Sequence, residues 1–470
     1  MRKVFSYIIL ALSISINFAA KPETSKNTFL FCLKKEVSPL QIAEKTEGLN
    51  VDINELNIFF DRNGIDMIEP WLPNATEMDY NGDVYLNRIY RVYIKESHRN
   101  ELTNIIEKIA QFNFIEYSEN EYIRKPFYTP NDTNIGNQCS INAVGADKAW
   151  DYWNIPAGII PGNREILLAS VDTGVDYTHP DLWKNIWINQ GEIPSWMLED
   201  NNLDSNNNGK ITPEEVVDYL IENTGDINDD GEVNLRDFLI PGSPFVNGFD
   251  DDGNGYTDDF IGWDPSGTYG QDDNDPYPRE DASSNGGWAH GTHVAGVLAA
   301  TTDNNLGMAS TAFNASIMSV KVSRSSQSTD PGINDGYSGI LYAAKAGYYA
   351  GTFTIINNSW GGGGYSSSEN NTINTAYNTY GAIILAAAGN DDENASHYPA
   401  SYTNCISVAA IGCSGSWGGW ATYHNSVEFS APGESIYSTI IGSGYESWDG
   451  SSMASPNAAS CFGLMKAFYP

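Results

Sequence analysis

The sequence predicts an α/β chain, a doubly wound and mostly parallel sheet preceded by a small α+β domain. Three observations carry this. From residue 129 onward, short apolar runs are separated by segments whose apolar residues fall at helical spacing. The runs lack the apolar–polar alternation of a sheet with one wet face, so both faces are covered, as in a parallel sheet. Asp172 and Asn390, two residues able to do chemistry, stand at or just past the ends of such runs. That is where open α/β sheets gather their sites.

The elements follow in order. Arg2 and Lys3 precede an apolar stretch over residues 4–18, and Ala19-Ala20 supplies small residues for cleavage. The stretch is short for a membrane span and reads as a secretory signal over residues 1–20. Residues 21–127 are charged and poor in glycine. Within them, 90–94 and 114–117 read as strands, and 104–112 places Ile105, Ile106, Ile109 and Ala110 at helical spacing. Strand, helix, strand fits a small α+β unit. In the remainder, 128–470, strands are expected at 166–171, 317–322, 353–356 and 381–386. Helices are expected at 292–300, 336–350 and 371–380. A last helix is expected from Ser452 through Phe468. Pro456 falls early in it, where a missing N–H is least harmful.

A length of 470 residues allows about three units. An apolar fraction of 41% supports a sizeable core. Lys+Arg 25 against Asp+Glu 60 gives a net charge of -35, which argues against nucleic acid or an anionic membrane as partner. The Asp and Asn residues cluster in loops, which points to cation binding. No other stretch approaches about 18 uninterrupted apolar residues. A soluble, secreted monomer with no membrane partner after processing is therefore expected. The cysteines are Cys32, Cys139, Cys405, Cys413 and Cys461. If 406–411 is one strand, Cys405 and Cys413 stand about 26 Å apart and cannot pair. The pairing is otherwise open. There is no Cys-x-x-Cys.

Three motifs carry the chemistry. They are Val171-Asp172-Thr173-Gly174, His290-Gly291-Thr292-His293-Val294-Ala295-Gly296 and Gly450-Ser451-Ser452-Met453-Ala454-Ser455-Pro456. A serine hydroxyl is a poor nucleophile near neutral pH. It needs an imidazole to take its proton and a carboxylate to orient that imidazole. A histidine or serine opening a helix is structural more often than catalytic when it stands alone. An acid, a base and a nucleophile in this order point to acyl transfer.

These motifs resemble the subtilisin family of serine endopeptidases, from about residue 130 to the end. The resemblance implies Asp172 as orienter, His290 as general base and Ser452 as nucleophile. Ser451 stands where the family usually has threonine and keeps the hydroxyl. Ala386-Ala387-Ala388-Gly389-Asn390 resembles the oxyanion segment, with the Asn390 amide and the Ser452 N–H as donors. Asn358-Ser359-Trp360-Gly361 resembles the substrate-binding edge, on which an extended peptide would pair by strand addition. Gly361 and Gly389 leave room for a substrate side chain, with broad cleavage after large apolar residues as the family default. The resemblance also implies protein or peptide substrates. It makes 21–127 an inhibitory propeptide, an intramolecular inhibitor released between about residues 120 and 128.

Asp172 and His290 lie 118 positions apart, more than compact members of that family need. Within the span, 195–245 reads as an inserted calcium-binding segment. Residues 204–215 fit a twelve-residue EF-hand loop. Asp204, Asn206, Asn208, Lys210 (through its carbonyl), Thr212 and Glu215 are the candidate ligands, with Gly209 at the sharp turn. Thr212 and Glu215 also form a capping box, with Pro213 at the first helical position. Residues 226–237 repeat the pattern with Asp226, Asn228, Asp230, Glu232, Asn234 and Asp237. The pair resembles a dockerin-type repeat. A third run offers Asp250, Asp252 and Asn254, but Ile261 occupies its closing position, so completion by Asp259 or another segment is expected. A fourth site follows from resemblance to thermitase-like members, with Asp132, Asp181 and Asn304 as ligands. Calcium is thus the expected cofactor. Two alternatives stay open: a dockerin-like binding module in which peptidase action is secondary or lost, and an exopeptidase of the same superfamily.

Overall fold

The computed structural model describes residues 24–45, 48–123, 128–198 and 203–470. The expected signal peptide lies outside them, as does part of the expected cleavage segment. The chain divides into two compact units, residues 1–126 and 127–470.

In the first unit, four antiparallel strands stand in the order Ile65–Pro70, Ile89–Ile94, Thr24–Leu33, Ile115–Tyr122. Helices Asn54–Arg62 and Leu102–Ile109 pack Leu56, Phe60, Ile105 and Ile109 against Phe29, Phe31, Leu33 and Val92. The expected strands and helix are present with shifted ends. The central strand Thr24–Leu33 has no counterpart in the sequence reading. Its residues 28–33 are buried without interruption, which leaves no alternation to read.

The second unit holds a seven-stranded sheet in which every pairing is parallel. Its order is Gly262–Trp263, Ser316–Lys321, Ile166–Asp172, Phe353–Asn358, Ile383–Ala387, Cys405–Ile411, Val427–Pro432. Successive side chains of a strand leave by opposite faces. Leu168, Ile355, Leu385 and Val408 meet Val294, Leu298, Ala454 and Ala458 on one face. Leu167, Ala169, Ile356 and Ile384 meet Ile340, Ala343, Ile373 and Ala376 on the other. Both faces are dry, which is why the strands read as unbroken apolar runs. The first strand is central, with Ser316–Lys321 on one side and Phe353–Asn358 on the other. The strand order reverses there, and open α/β sheets place their crevice at the carboxyl ends of such strands.

In this second unit, element ends are shifted by up to four residues from the expectation, and two starts show why. The helix read at 371–380 is Ser367–Asn378, because its first turn is polar and carries no apolar spacing. The strand read at 381–386 starts at Ile383, because Gly381 turns the chain at φ +75°. The inserted segment is not a separate lobe. Val216 and Leu220 of Pro213–Asn223, with Leu235 and Phe238 of Leu235–Leu239, join the core that holds Leu168. Thr212 and Glu215 make the expected capping box. Cys139 bonds Cys413, while Cys32, Cys405 and Cys461 are free. Cys405 opens the strand Cys405–Ile411, which keeps it from Cys413 as expected. Among the described residues, no helix is long and apolar enough to cross a membrane.

Candidate active site

Asp172 ends the central strand, and His290 opens the helix His290–Ala299. Gly291 lets them meet: a Cβ there would fall 2.2 Å from the Gly174 carbonyl oxygen and 3.1 Å from the Asp172 Cβ. His290 Nδ1 and Asp172 Oδ1 are 2.7 Å apart. The same oxygen accepts the Thr173 N–H at 2.8 Å. Asp172 is 1% exposed while the His290 side chain keeps 26%, so the carboxylate is sealed and the imidazole stays reachable.

Ser452 lies in the first turn of Ser451–Phe468. Pro456 lacks the N–H that would close a helical bond onto the Ser452 carbonyl. That carbonyl accepts the Ser359 hydroxyl instead, at 2.7 Å. Ser359 Oγ in turn accepts from Asn357 Nδ2 at 2.9 Å, and Asn357 Oδ1 accepts from Ser455 at 2.6 Å. The end of Phe353–Asn358 is thereby riveted to the helix that carries the nucleophile. The Ser452 hydroxyl donates to the Ser359 carbonyl at 2.9 Å and makes no hydrogen bond to His290. Such nucleophile–base contacts are often loose without substrate.

Asn390 Oδ1 accepts the Ser451 N–H at 2.8 Å. This fixes the amide by its oxygen and leaves Nδ2 beside the Gly450 turn. A Cβ on Gly450 would stand 3.7 Å from that nitrogen, for which no acceptor is seen among the described residues. The Ser451 hydroxyl accepts the Gly389 N–H at 3.1 Å, tying the oxyanion segment to the nucleophile turn.

Two histidines on one helix have different surroundings. Burial opposes charge on the His290 ring, but the Asp172 carboxylate and the bond they share outweigh it and hold His290 above the ordinary imidazole range. His293 is fully buried with no carboxylate beside it, and burial pushes it down to about 3. Its ring stacks on Trp448 with centroids 4.4 Å apart. Only His290 is suited to take and return a proton near neutral pH.

A model of the Subtilase family matches residues 163–470, well over half of the sequence. The chain belongs to the subtilase family. It is 29% identical over 363 residues to the "Thermophilic serine proteinase" of Bacillus sp. (strain AK1), covering 77% of this chain and 65% of that protein. It is 39% identical over 194 residues to "Thermitase" of Thermoactinomyces vulgaris, covering 41% of this chain and 64% of that protein. It is 29% identical over 367 residues to "Halolysin" of Haloferax mediterranei, covering 78% of this chain and 52% of that protein. The subtilase thus spans less than two thirds of the length of each.

The residues expected to form the substrate edge are held by a bond of their own. Trp360 Nε1 donates to the Val171 carbonyl at 2.8 Å, which holds Ser359-Trp360-Gly361 beside the strand that ends at Asp172. Gly361 and Gly389 follow the neighbouring strand ends.

Three loops in the long span share one backbone form. The N–H of Gly209, Gly231 and Gly255 donates at 2.8 Å to Asp204, Asp226 and Asp250 respectively. Asn207, Asp229 and Gly253, two residues earlier, all have positive φ. In the first loop, the Glu215 carboxylate accepts from the N–H of Asn206 and Thr212 at 3.4 and 3.0 Å. In the second, Asp237 accepts from Asn228 and Asn234 at 3.2 and 3.0 Å. In the third, the equivalent N–H groups of Asp252 and Asp258 donate to Glu192 at 3.2 and 3.0 Å. Glu192 comes from far upstream and was missed in the sequence. The open closing position at Ile261 signalled that a carboxylate was needed, but nothing local named it. Asp259, the expected candidate, lies close by: its carboxylate accepts from Asn254 and Tyr342. Burial pushes Glu192 up to about 7 and raises Asp259 as well.

The fourth expected set also meets. Asn304 Nδ2 donates to Asp181 at 2.7 Å, and the Asp303 N–H donates to Asp132 at 2.9 Å. Asp132 and Asp181 are buried, and burial raises both, Asp132 to about 6.

Proposed function

We propose that this chain is a secreted, calcium-dependent serine endopeptidase acting on proteins or peptides. The observations that carry the reading are the Asp172–His290 bond and the Asn390 amide fixed on the Ser451 N–H beside Ser452; the peptide groove is taken to run between them. A peptide is held as an added strand along Ser359–Gly361. The Ser452 hydroxyl leaves the Ser359 carbonyl by rotating about its Cα–Cβ bond and attacks the scissile carbonyl carbon. His290 Nε2 takes its proton, while the Asp172 charge stabilises the imidazolium. The oxyanion of the tetrahedral intermediate is met by Asn390 Nδ2 and the Ser452 N–H, donors already in place before the reaction starts. His290 returns the proton to the leaving amine, and the acyl-enzyme at Ser452 is hydrolysed by a water that His290 deprotonates. Residues 21–127 act as the propeptide that holds the enzyme inactive until cleavage.

Calcium suits the donor sets, which are carboxylates, amides and carbonyls without nitrogen or sulfur. Asp204, Asn206, Asn208, Lys210 (carbonyl), Thr212 and Glu215 would hold one ion. Asp226, Asn228, Asp230, Glu232 (carbonyl), Asn234 and Asp237 would hold a second. Asp250, Asp252, Asn254 and Glu192 would hold a third, and Asp132, Asp181 and Asn304 a fourth. The ion's part is to stabilise the fold. The shared core of the insertion and the sheet favours this role over a docking module. Casein hydrolysis and labelling by a serine-directed phosphonate, both absent in Ser452→Ala, test the peptidase reading. Equal labelling of the variant would refute it. An EDTA melting curve identical to the calcium curve would refute the calcium reading.

A further inference from the structure

We propose that Asp391, Glu393 and His397 form a separate site for a transition-metal ion of the zinc type, and that its occupancy slows turnover at the oxyanion segment beside it. The second half of this proposal rests on the peptidase reading.

The three side chains offer ligand atoms that all lie within 4.8 Å of one another. His397 Nε2 is 3.5 Å from Asp391 Oδ2 and 3.5 Å from Glu393 Oε1. Hydrogen bonds from a ring nitrogen run to about 3.2 Å, so these spacings are too long for them. Ligands at about 2.0–2.1 Å around a tetrahedral ion stand about 3.3–3.4 Å apart, close to the spacing seen. Among the described residues neither carboxylate has a Lys or Arg ion-pair partner, so two carboxylates face one ring nitrogen.

The donor set separates this site from the calcium loops. Imidazole with two carboxylates suits zinc, nickel or copper, whereas calcium takes six to eight oxygens. Three protein ligands leave a fourth position open to water. The loop is held by bonds outside the cluster. Asp391 N–H donates to Thr422 Oγ1 at 3.1 Å, Asp392 N–H donates to the Trp420 carbonyl at 2.9 Å, and the Glu393 carbonyl accepts from Tyr423 at 3.0 Å. The ligands are thus positioned before an ion arrives. His424, nearby on Ser396, points to Ser426 and is not in the donor group.

The coupling is steric and covalent. Asp391 directly follows Asn390 in the chain. The His397 ring packs on Gly389 so closely that a Cβ there would fall 3.2 Å from ring atoms. An ion held by Asp391 and His397 ties down both ends of the segment that aims Asn390 Nδ2 and restrains any adjustment that segment makes during turnover. A misplacement of about 1 Å in such a group can lower a rate ~100-fold.

The test uses the full chain with Ser452→Ala, freed of transition metals and held in excess calcium, titrated with zinc by calorimetry. Cobalt absorption reports the coordination. We expect one binding event that vanishes in His397→Ala and in the double variant Asp391→Asn/Glu393→Gln, both melting as the parent does. Absence of zinc binding, or binding with unchanged stoichiometry in both variants, would overturn the site. In the active chain, zinc should lower casein hydrolysis ~10-fold or more, and the double variant should be insensitive. Binding without that loss would overturn the coupling. A chain that hydrolyses nothing even without zinc would count against the peptidase reading and leave the binding result standing.

Discussion

In the groove, Asp172, His290 and Ser452 come from the end of a strand and the starts of two helices, and no stretch of sequence contains more than one of them. In the first two candidate calcium loops, all the candidate ligands come from twelve consecutive residues, and the loop's own N–H groups bond to them. The third loop stands between: its turn is local, but Glu192 closes it from another part of the chain. A local device survives wherever the chain is folded nearby. A distributed one depends on the sheet, on Gly291 allowing close approach, and on the Ser359 rivet. The groove should therefore lose function through single atoms, and the loops should lose stability by degrees.

The sharpest break is Ser452→Ala. It should lower kcat/KM for casein by about 10⁶-fold, a magnitude known from subtilisin itself, with an unchanged melting curve. A loss below a hundredfold would mean that another nucleophile operates. Asp172→Asn comes next, at about 10⁴-fold. It also changes the pH profile. The base must be neutral, so hydrolysis rises as pH climbs through the His290 pKa, which Asp172 holds above the usual 6.5. Without the carboxylate that limb should move to lower pH, and a limb that stays in place would dissociate His290 from the acid. Asn390→Ala should cost about 10²–10³-fold, mainly in kcat. A change confined to KM would make it a substrate-binding residue instead. Smallest is Glu192→Gln. Calorimetry should count one calcium fewer. The calcium-dependent gain in Tm should shrink by several degrees, since one ion at a hundredfold excess over Kd contributes ~2.7 kcal/mol. An unchanged count would return the third loop to an acidic turn without an ion.

What was legible in the sequence follows the same division. The central strand, the His290 helix and the Ser452 helix announced themselves because both faces of the sheet are dry and the signatures sit at element ends. Thr212 and Glu215 announced the helix start because a capping box is contained within four residues. Glu192 did not, because its partners Asp252 and Asp258 are remote and its neighbours carry no pattern. Nor did the strand Val427–Pro432, whose residues 428–430 are exposed. The Ser359 hydroxyl on the Ser452 carbonyl was hidden for a different reason. It exists only because Pro456 withholds a donor, and that vacancy is visible only when the helix and the strand end are seen together.

The Cys139–Cys413 bond joins residues 274 positions apart, with Asp172, His290 and all three turn-like loops between them. A peptidase in solution nicks itself at surface loops, and a cut anywhere inside that ring opens the main chain without releasing a fragment. On a gel run without reductant, clipped and intact molecules should migrate as one band, and only thiol treatment should resolve the pieces. Damage to the insertion would thus remain attached to the body that carries it, with the chance to anneal in place.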